Sequence, residues 1–475
     1  MLDNRKLMAE EWNAGCSALC WSTQDGKHLW GRNFDFNRLA QGTKVSYIPS
    51  GTEYYTCGAT MERNLDRSSR CRAAYAALGT GFLMIPSVPV LYEGINERGL
   101  MGGQLYYREF AHFADKAIPG TLKIQPPYVV YHVLAQCATV AEAADLLKNK
   151  VTIMNLPLFG SVPTLHWAFS DRTGEMIVVE PDRDGLKVYR NTIGVMTNSP
   201  GYSWHRLNLL NYAGIRDLDY DVLDLESDRL NQCFSGSGAQ GLPGDWSSPS
   251  RFIRLAFLKK FCVKGRDESQ GVANMLHLFQ SAAFPLGIVR ITEQGTVTEY
   301  DKDISPYDYT VYTSIMCGES LRFYWTTYQN QQIQCVDMNH LKKGMKAVQF
   351  DLEQPPNLHL LSCPEKSGFP LASLSQANPK RRAALELYEQ SSNTNRELIG
   401  SLSFLLGKEV NSGKARGKGQ QANRRLRQRG YPRENVKDRT QNKTKNHKVG
   451  RLRMPIHGSF QQLGGGDDSN NQADR

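Results

Sequence analysis

A chain of 475 residues carries Cys16 directly after Gly15, within the stretch "NAGCSALCWSTQDGKHLWGRNFDF" at 13–36. The reactive form of cysteine is the thiolate, and reaching it takes a nearby base or cation. Histidine is the usual base, yet His28 lies at the far end of this stretch and no motif ties the other histidines to Cys16. A different base arises if the chain is cut after Gly15. The freed α-amine of Cys16, with an ordinary pKa near 8, would be fixed covalently beside its own thiol. Gly15 suits such a cut, because a residue without Cβ leaves its carbonyl open to the thiol. The same residues also fit a plainer reading, in which Cys16, like Cys20, is a small buried strand residue.

Two runs of strand-forming residues flank Asp25 and Gly26, which predicts a hairpin. A two-residue type I′ turn there would set Cys16 directly opposite Asp35, a thiol beside a carboxylate. Arg32 could partner that carboxylate. Positions 32 and 35, however, point to opposite faces of a regular strand, so a bulge or a fold of Arg32 around the strand end would be needed. Two other residues stand out more weakly. Arg251, in "PSRF", falls in the first turn of a predicted helix, where a cation opposes the helix dipole at a cost of ~0.3 kcal/mol. Asn198, in "MTNSP", reads as a turn residue ending a strand.

Further strands are predicted in segments such as "TKVSYIP", "GLMGGQLYY", "TLHWAFSD", "EMIVVEP", "DYTVYTSIMC" and "LRFYWTTY". Helices are predicted over "PPYVVYHVLAQCATVAEAADLLKN", "PSRFIRLAFLKKFCV" and "GVANMLHLFQSAAF", where apolar residues recur every three or four positions. Many hairpin-like strands and a few helices indicate an α+β layered domain with mostly antiparallel sheets. No GxGxxG or GxxxxGK[ST] element sits between a strand and a helix, which argues against a doubly wound nucleotide fold.

The net charge of +10 is unevenly placed, with 22 Lys plus Arg against 10 Asp plus Glu from residue 354 onward and 35 against 37 before it. The basic character therefore belongs to a polar tail, 354–475, whose composition predicts disorder, with one helix-forming piece at 397–409. Such a tail can bind a polyanion weakly through charge, but no specific nucleic-acid partner is indicated. Ten scattered cysteines form no CxxC pair or zinc-spaced cluster and are expected to be mostly reduced. Residues 1–15 form a charged leader with no signal-peptide core, and no apolar run approaches the roughly 20 residues of a membrane span; a cytoplasmic protein is expected.

From Cys16 to about residue 350 the chain resembles the choloylglycine hydrolases, the bile salt hydrolases and penicillin V acylases among the N-terminal nucleophile hydrolases. The resemblance rests on six ordered segments, including "GCSALCWSTQDGKHLWGRNFDF", "LYEGINERGLMGGQLYYREF", "IGVMTNSPGYSWH" and "GLPGDWSSPSRFIRLAFL". It implies a four-layer αββα domain over 16–353, removal of the leader between Gly15 and Cys16, no metal or organic cofactor, and a homotetramer. By position, Cys16 matches the nucleophile and Arg32 the arginine beside it. Asp35 matches the aspartate holding the terminal amine, Asn198 the oxyanion-hole amide, and Arg251 a second active-site arginine. Tyr106 stands where penicillin V acylases carry tyrosine and bile salt hydrolases asparagine, and its N–H is the implied second oxyanion donor. The expected reaction is hydrolysis of the side-chain amide of penicillin V to 6-aminopenicillanic acid and phenoxyacetic acid through a Cys16 thioester. Hydrolysis of conjugated bile salts or N-acyl homoserine lactones is the alternative. An unprocessed, non-enzymatic protein with a polyanion-binding tail is the alternative of another class.

Overall fold

The computed structural model describes residues 15–361, apart from 59–64, 84–88, 159–160, 292–303, 342–345 and 357. Most of the leader, the tail and the helix predicted at 397–409 lie outside the described residues.

Strands are numbered in chain order. One sheet runs β14 (Val195–Met196), β1 (Gly15–Ser22), β2 (His28–Phe36), β18 (Tyr307–Cys317), β19 (Arg322–Thr327) and β20 (Gln334–Asp337), with β17 (Val289–Arg290) also on β18. The other runs β13 (Gly185–Tyr189), β12 (Met176–Asp182), β11 (Leu165–Ser170), β8 (Met101–Tyr106), β7 (Val90–Asn96), β6 (Ala77–Phe82), β3 (Thr43–Ile48) and β21 (Val348–Asp351). Every pairing within the two sheets is antiparallel. Three short pairs stand apart: β4 (Glu53–Tyr55) with β5 (Arg70–Arg72), β9 (Leu122–Ile124) with β10 (Val151–Ile153), and β15 (Val222–Leu225) with β16 (Asp228–Asn231).

The sheets face each other where β1 and β2 meet β8, around a core that includes Trp30, Phe34, Tyr92 and Tyr312. Helices α4 (Ser248–Phe261) and α5 (Glu268–Gln280) cover the outside of the first sheet; α1 (Val129–Gln136) and α2 (Val140–Asp145) cover the second, and α3 (Tyr202–Asn208) packs on α4. This is the expected αββα layering. It also explains why so many strands read as continuous apolar runs, since both of their faces are covered.

Two local expectations are corrected. The helix predicted over 126–149 is broken at Cys137, which is extended (φ −113°, ψ 140°), and Thr139 then caps α2 by accepting from the Glu142 N–H. Periodicity continued across the break because both pieces bury the same kind of face, while the capping threonine ends one helix register and begins another. The opening hairpin is shifted by one residue. Its turn is a three-residue loop in which Gly26 N–H reaches the Thr23 carbonyl (3.3 Å), Gly26 takes φ +84°, and Thr23 N–H reaches the Lys27 carbonyl (2.9 Å). That geometry is a type I turn followed by a left-handed residue, which Asp-Gly serves as well as a two-residue turn. Cys16 therefore pairs with Phe34, and Asp35 pairs with Gly15.

Candidate active site

The one-residue shift decides which groups meet. Side chains alternate across a strand, and directly paired residues share a face. Cys16, Phe34 and Tyr312 form one row across β1, β2 and β18, and Ala18, Arg32 and Ser314 form the next row on that face. Gly15, Asp35 and Thr310 form a row on the opposite face, beside Ser17, Asn33 and Thr313. The thiol and Arg32 point between the sheets, whereas Asp35 points toward the helical layer. No bulge in β2 is needed to bring Arg32 to the thiol, since Arg32 and Cys16 already share a face.

Cys16 and Arg32 are both buried. Arg32 Nη2 lies 2.7 Å from Cys16 Sγ, while Nη1 donates to the Gln104 carbonyl (2.7 Å) and to Glu93 Oε2 (3.3 Å). Glu93, wholly buried on β7, also accepts from Tyr312 Oη at 2.9 Å. Burial pushes the Cys16 thiol up, outweighing the pull of Arg32 and Arg251 toward the thiolate. With its nitrogen in a peptide bond to Gly15, the described chain has no amine to take the thiol proton.

On the other side, Arg251 is buried and reaches across from α4. Its Nε donates to the Trp246 carbonyl (2.8 Å), Nη1 to Ser17 Oγ (2.8 Å) and to the Cys16 carbonyl, and Nη2 to Asn198 Oδ1 (2.7 Å). Asn198 Oδ1 also accepts from the Cys16 N–H at 2.8 Å, and Asn198 Nδ2 donates to the Tyr106 carbonyl at 2.9 Å. Two donors on Oδ1 and a carbonyl on Nδ2 fix which way round the amide sits. Its backbone is held as well, with N–H on Ser248 Oγ (3.0 Å) and carbonyl against His205 Nε2 (3.0 Å).

Tyr106 and Gln104 enter for a common reason. On β8 the Tyr107 N–H takes the Thr164 carbonyl, so positions 104 and 106 turn their carbonyls away from β11. Beyond Gly103, β7 no longer pairs there. The carbonyls released by the parting of β7 and β8 are those that hold Arg32 and Asn198.

Asp35 is fully buried, with Oδ1 accepting from Thr310 Oγ1 (2.5 Å) and Oδ2 without a partner among the described residues. Burial pushes its carboxyl up to about 7, against Arg251, the Thr310 hydrogen bond and Arg32. Asp308, two residues before Thr310 on β18, shares that face and is also buried, with Oδ1 unpartnered among the described residues. Burial, reinforced by Asp35, pushes Asp308 up to about 8 against Arg251.

The structure thus gathers Gly15, Cys16, Arg32, Asp35, Tyr106, Asn198 and Arg251 into one centre. Sequence reasoning missed Glu93 and Asp308, although an acidic residue inside an apolar strand run ("VLYEGIN", "DYTVYTSIMC") was a readable signal that a buried charge has a partner. Phe284 and Thr310 gave no such signal. Among the described residues no His/Cys/Asp/Glu group could hold a metal ion, and all nine described cysteines are free.

Two facing antiparallel sheets between helical layers, with a strand-leading cysteine at their junction, define an N-terminal nucleophile hydrolase scaffold. A family model of linear amide C–N hydrolases, the choloylglycine hydrolase family, matches residues 16–351. The chain belongs to that family. It is 34% identical over 326 residues to the bile salt hydrolase/transferase of Clostridium perfringens, covering 68% of this chain and 92% of the relative. It is 30% identical over 312 residues to the conjugated bile acid hydrolase of Lactobacillus acidophilus, covering 65% and 91%. The solved conjugated bile acid hydrolase from Clostridium perfringens superposes with a TM-score of 0.63 at 31% identity, covering 73% of this chain and all of that one. Penicillin V acylase from Agrobacterium tumefaciens superposes at 0.53 and 19% identity, covering 71% and 92%, a likeness of fold.

Proposed function

We propose that the mature protein is a cysteine amidase that begins at Cys16 and hydrolyses conjugated bile salts or closely similar acyl conjugates. The observation that carries the chemistry is the bridge Arg251–Asn198–Cys16, which joins a cation, an oriented amide and the nitrogen next to the thiol within 2.8 Å contacts. Processing starts when Sγ attacks the Gly15 carbonyl carbon. An S–C bond forms as the C–N bond breaks, the thiol proton passes to the departing Cys16 nitrogen, and water then splits the thioester. The amine takes the proton of the carboxylic acid so formed, and the resulting ammonium lies beside the unpartnered oxygen of Asp35.

In turnover, the neutral α-amine takes the thiol proton and the thiolate, steadied by Arg32, attacks the acyl carbon. The second N–H of Asn198 Nδ2 and the Tyr106 N–H receive the oxyanion. The ammonium protonates the leaving nitrogen, and water releases the acid. A small, mostly apolar recess lined by Phe82, Val90, Tyr92, Leu158 and Leu165 also includes Gln104, whose carbonyl holds Arg32, and brings apolar surface near the site.

Bile conjugates are better supported than the expected penicillin V: the relatives from Clostridium perfringens and Lactobacillus acidophilus are a bile salt hydrolase/transferase and a conjugated bile acid hydrolase, while the likeness to penicillin V acylase is one of fold. Penicillin V stays as a second reading on the strength of Tyr106. The test is intact mass followed by hydrolysis of glycine- and taurine-conjugated bile acids, penicillin V and N-acyl homoserine lactones. Loss of residues 1–15 and a preference for bile conjugates are expected. Retention of the leader with no amidase activity would favour the non-enzymatic alternative, and faster penicillin V turnover would restore the second reading.

A further inference from the structure

Phe284 lies against the peptide that the proposed cut would break. A Cβ built on Gly15 would stand 2.7 Å from Phe284 Cζ and 2.8 Å from Cε2, closer than carbon atoms approach, while Arg251 Nη2 would be an ordinary 3.6 Å away. The residue is tied at its backbone and covered over one face of its ring. Phe284 exchanges both backbone hydrogen bonds with Thr310, its N–H to Thr310 Oγ1 (2.8 Å) and its carbonyl from the Thr310 N–H (3.1 Å). The Arg251 guanidinium covers the ring, 5.1 Å from its centroid, and Arg251 is itself tied to Trp246, Ser17 and Asn198. Thr310, which anchors the loop, also holds Asp35.

We propose that Phe284 is a specificity-determining residue for leader removal, so that the processing site admits only glycine before Cys16. This rests on the cut at Gly15–Cys16 proposed above. A larger residue at 15 has to displace either the clamped ring or the strand. If β1 moves, the carbonyl carbon at 15 leaves its place beside Sγ, and a misplacement of about 1 Å costs on the order of a hundredfold in rate. A cavity of about 310 Å³, lined by Gln280, Thr310, Tyr312 and Tyr328, lies next to Phe284. Truncating the ring opens position 15 toward that space. The same gap, once Gly15 has left, is bounded by Asp35, Arg251 and the ring, and it is where the ammonium of Cys16 comes to rest.

The experiment follows leader loss by intact mass in the purified full-length chain, for the wild type, G15A, F284A and G15A/F284A, with circular dichroism to verify folding. Expected are normal cleavage in the wild type and F284A, cleavage slowed about a hundredfold in G15A, and recovery to within a few-fold in the double variant. Cleavage of G15A at the wild-type rate would overturn the gate alone. So would a folded G15A/F284A that stays uncut. A wild-type chain that keeps residues 1–15 would instead remove the cut itself, and the gate with it.

Discussion

At the scale of single residues, the site is a set of buried polar groups whose partners have been chosen for them by strand parity. Asn198 is tightly held, with three side-chain hydrogen bonds and both backbone groups engaged. If its amide receives the oxyanion, Asn198→Ala is expected to lower kcat by about 10²–10³-fold, read in steady-state kinetics on a glycine-conjugated bile acid; an unchanged kcat would exclude that role. Asp308 allows a test by pH. It faces Asp35 on β2 and Arg251 on α4. Its folded value of about 8 lies above the ordinary carboxylate range, so its contribution to stability is complete at low pH and is lost as pH rises through about 8. His132 and His205, lowered to about 4 by burial, act in the opposite sense and have their full effect above pH 6.5. Between pH 6.5 and 8.5 the uncut C16A protein should therefore lose stability faster than C16A/D308N, by up to ~1.4 kcal/mol per pH unit. Parallel denaturant-midpoint curves for the two would show that Asp308 does not titrate there.

At the scale of elements, three strands and one helix do the positioning. β1 and β2 set the thiol and Arg32 on one face and Asp35 on the other, β8 offers two carbonyls where β7 has left it, and α4 sends Arg251 through to the first residues of β1. The helical layer over the second sheet is held by local signals, Thr139 among them. Thr139→Ala is expected to reduce stability by ~1 kcal/mol through loss of the cap to Glu142 and to leave turnover unchanged, as read by thermal unfolding beside an activity assay. A large fall in activity would mean that the layer reaches the site.

At the scale of the whole molecule, the hairpin β15–β16 stands apart from both sheets among the described residues. Leu223 and Leu230 pair directly, Leu225 lies on the same face, and all three are about half exposed, at 56%, 48% and 51%. An isolated two-stranded hairpin is marginal in water, and apolar side chains on one of its faces call for something to cover them. A second copy of the chain seated on that face is the arrangement to test. If a second copy does cover it, L223D/L230D lowers the mass read by light scattering, and an unchanged mass assigns any such contact elsewhere.

The sequence alone determined the class of the molecule. Alternating apolar runs give strands whichever partners they find, the Cys16 motif and its neighbours marked the family, and the uneven charge separated a near-neutral body from a basic tail. It also marked Arg32, Asp35, Asn198 and Arg251, because those positions carry the family's residue types. What it could not determine was register. A turn containing Asp-Gly closes equally well over two residues or three, and one residue reverses every side chain of a strand. Only the tertiary structure decided that Asp35 lies against Gly15 and not Cys16, that two buried acids, Glu93 and Asp308, flank the two arginines, and that the ring of Phe284 lies against Gly15. These depend on strands far apart in the chain, and the free energy that selects among registers comes from burying both faces at once, which no local stretch of residues contains.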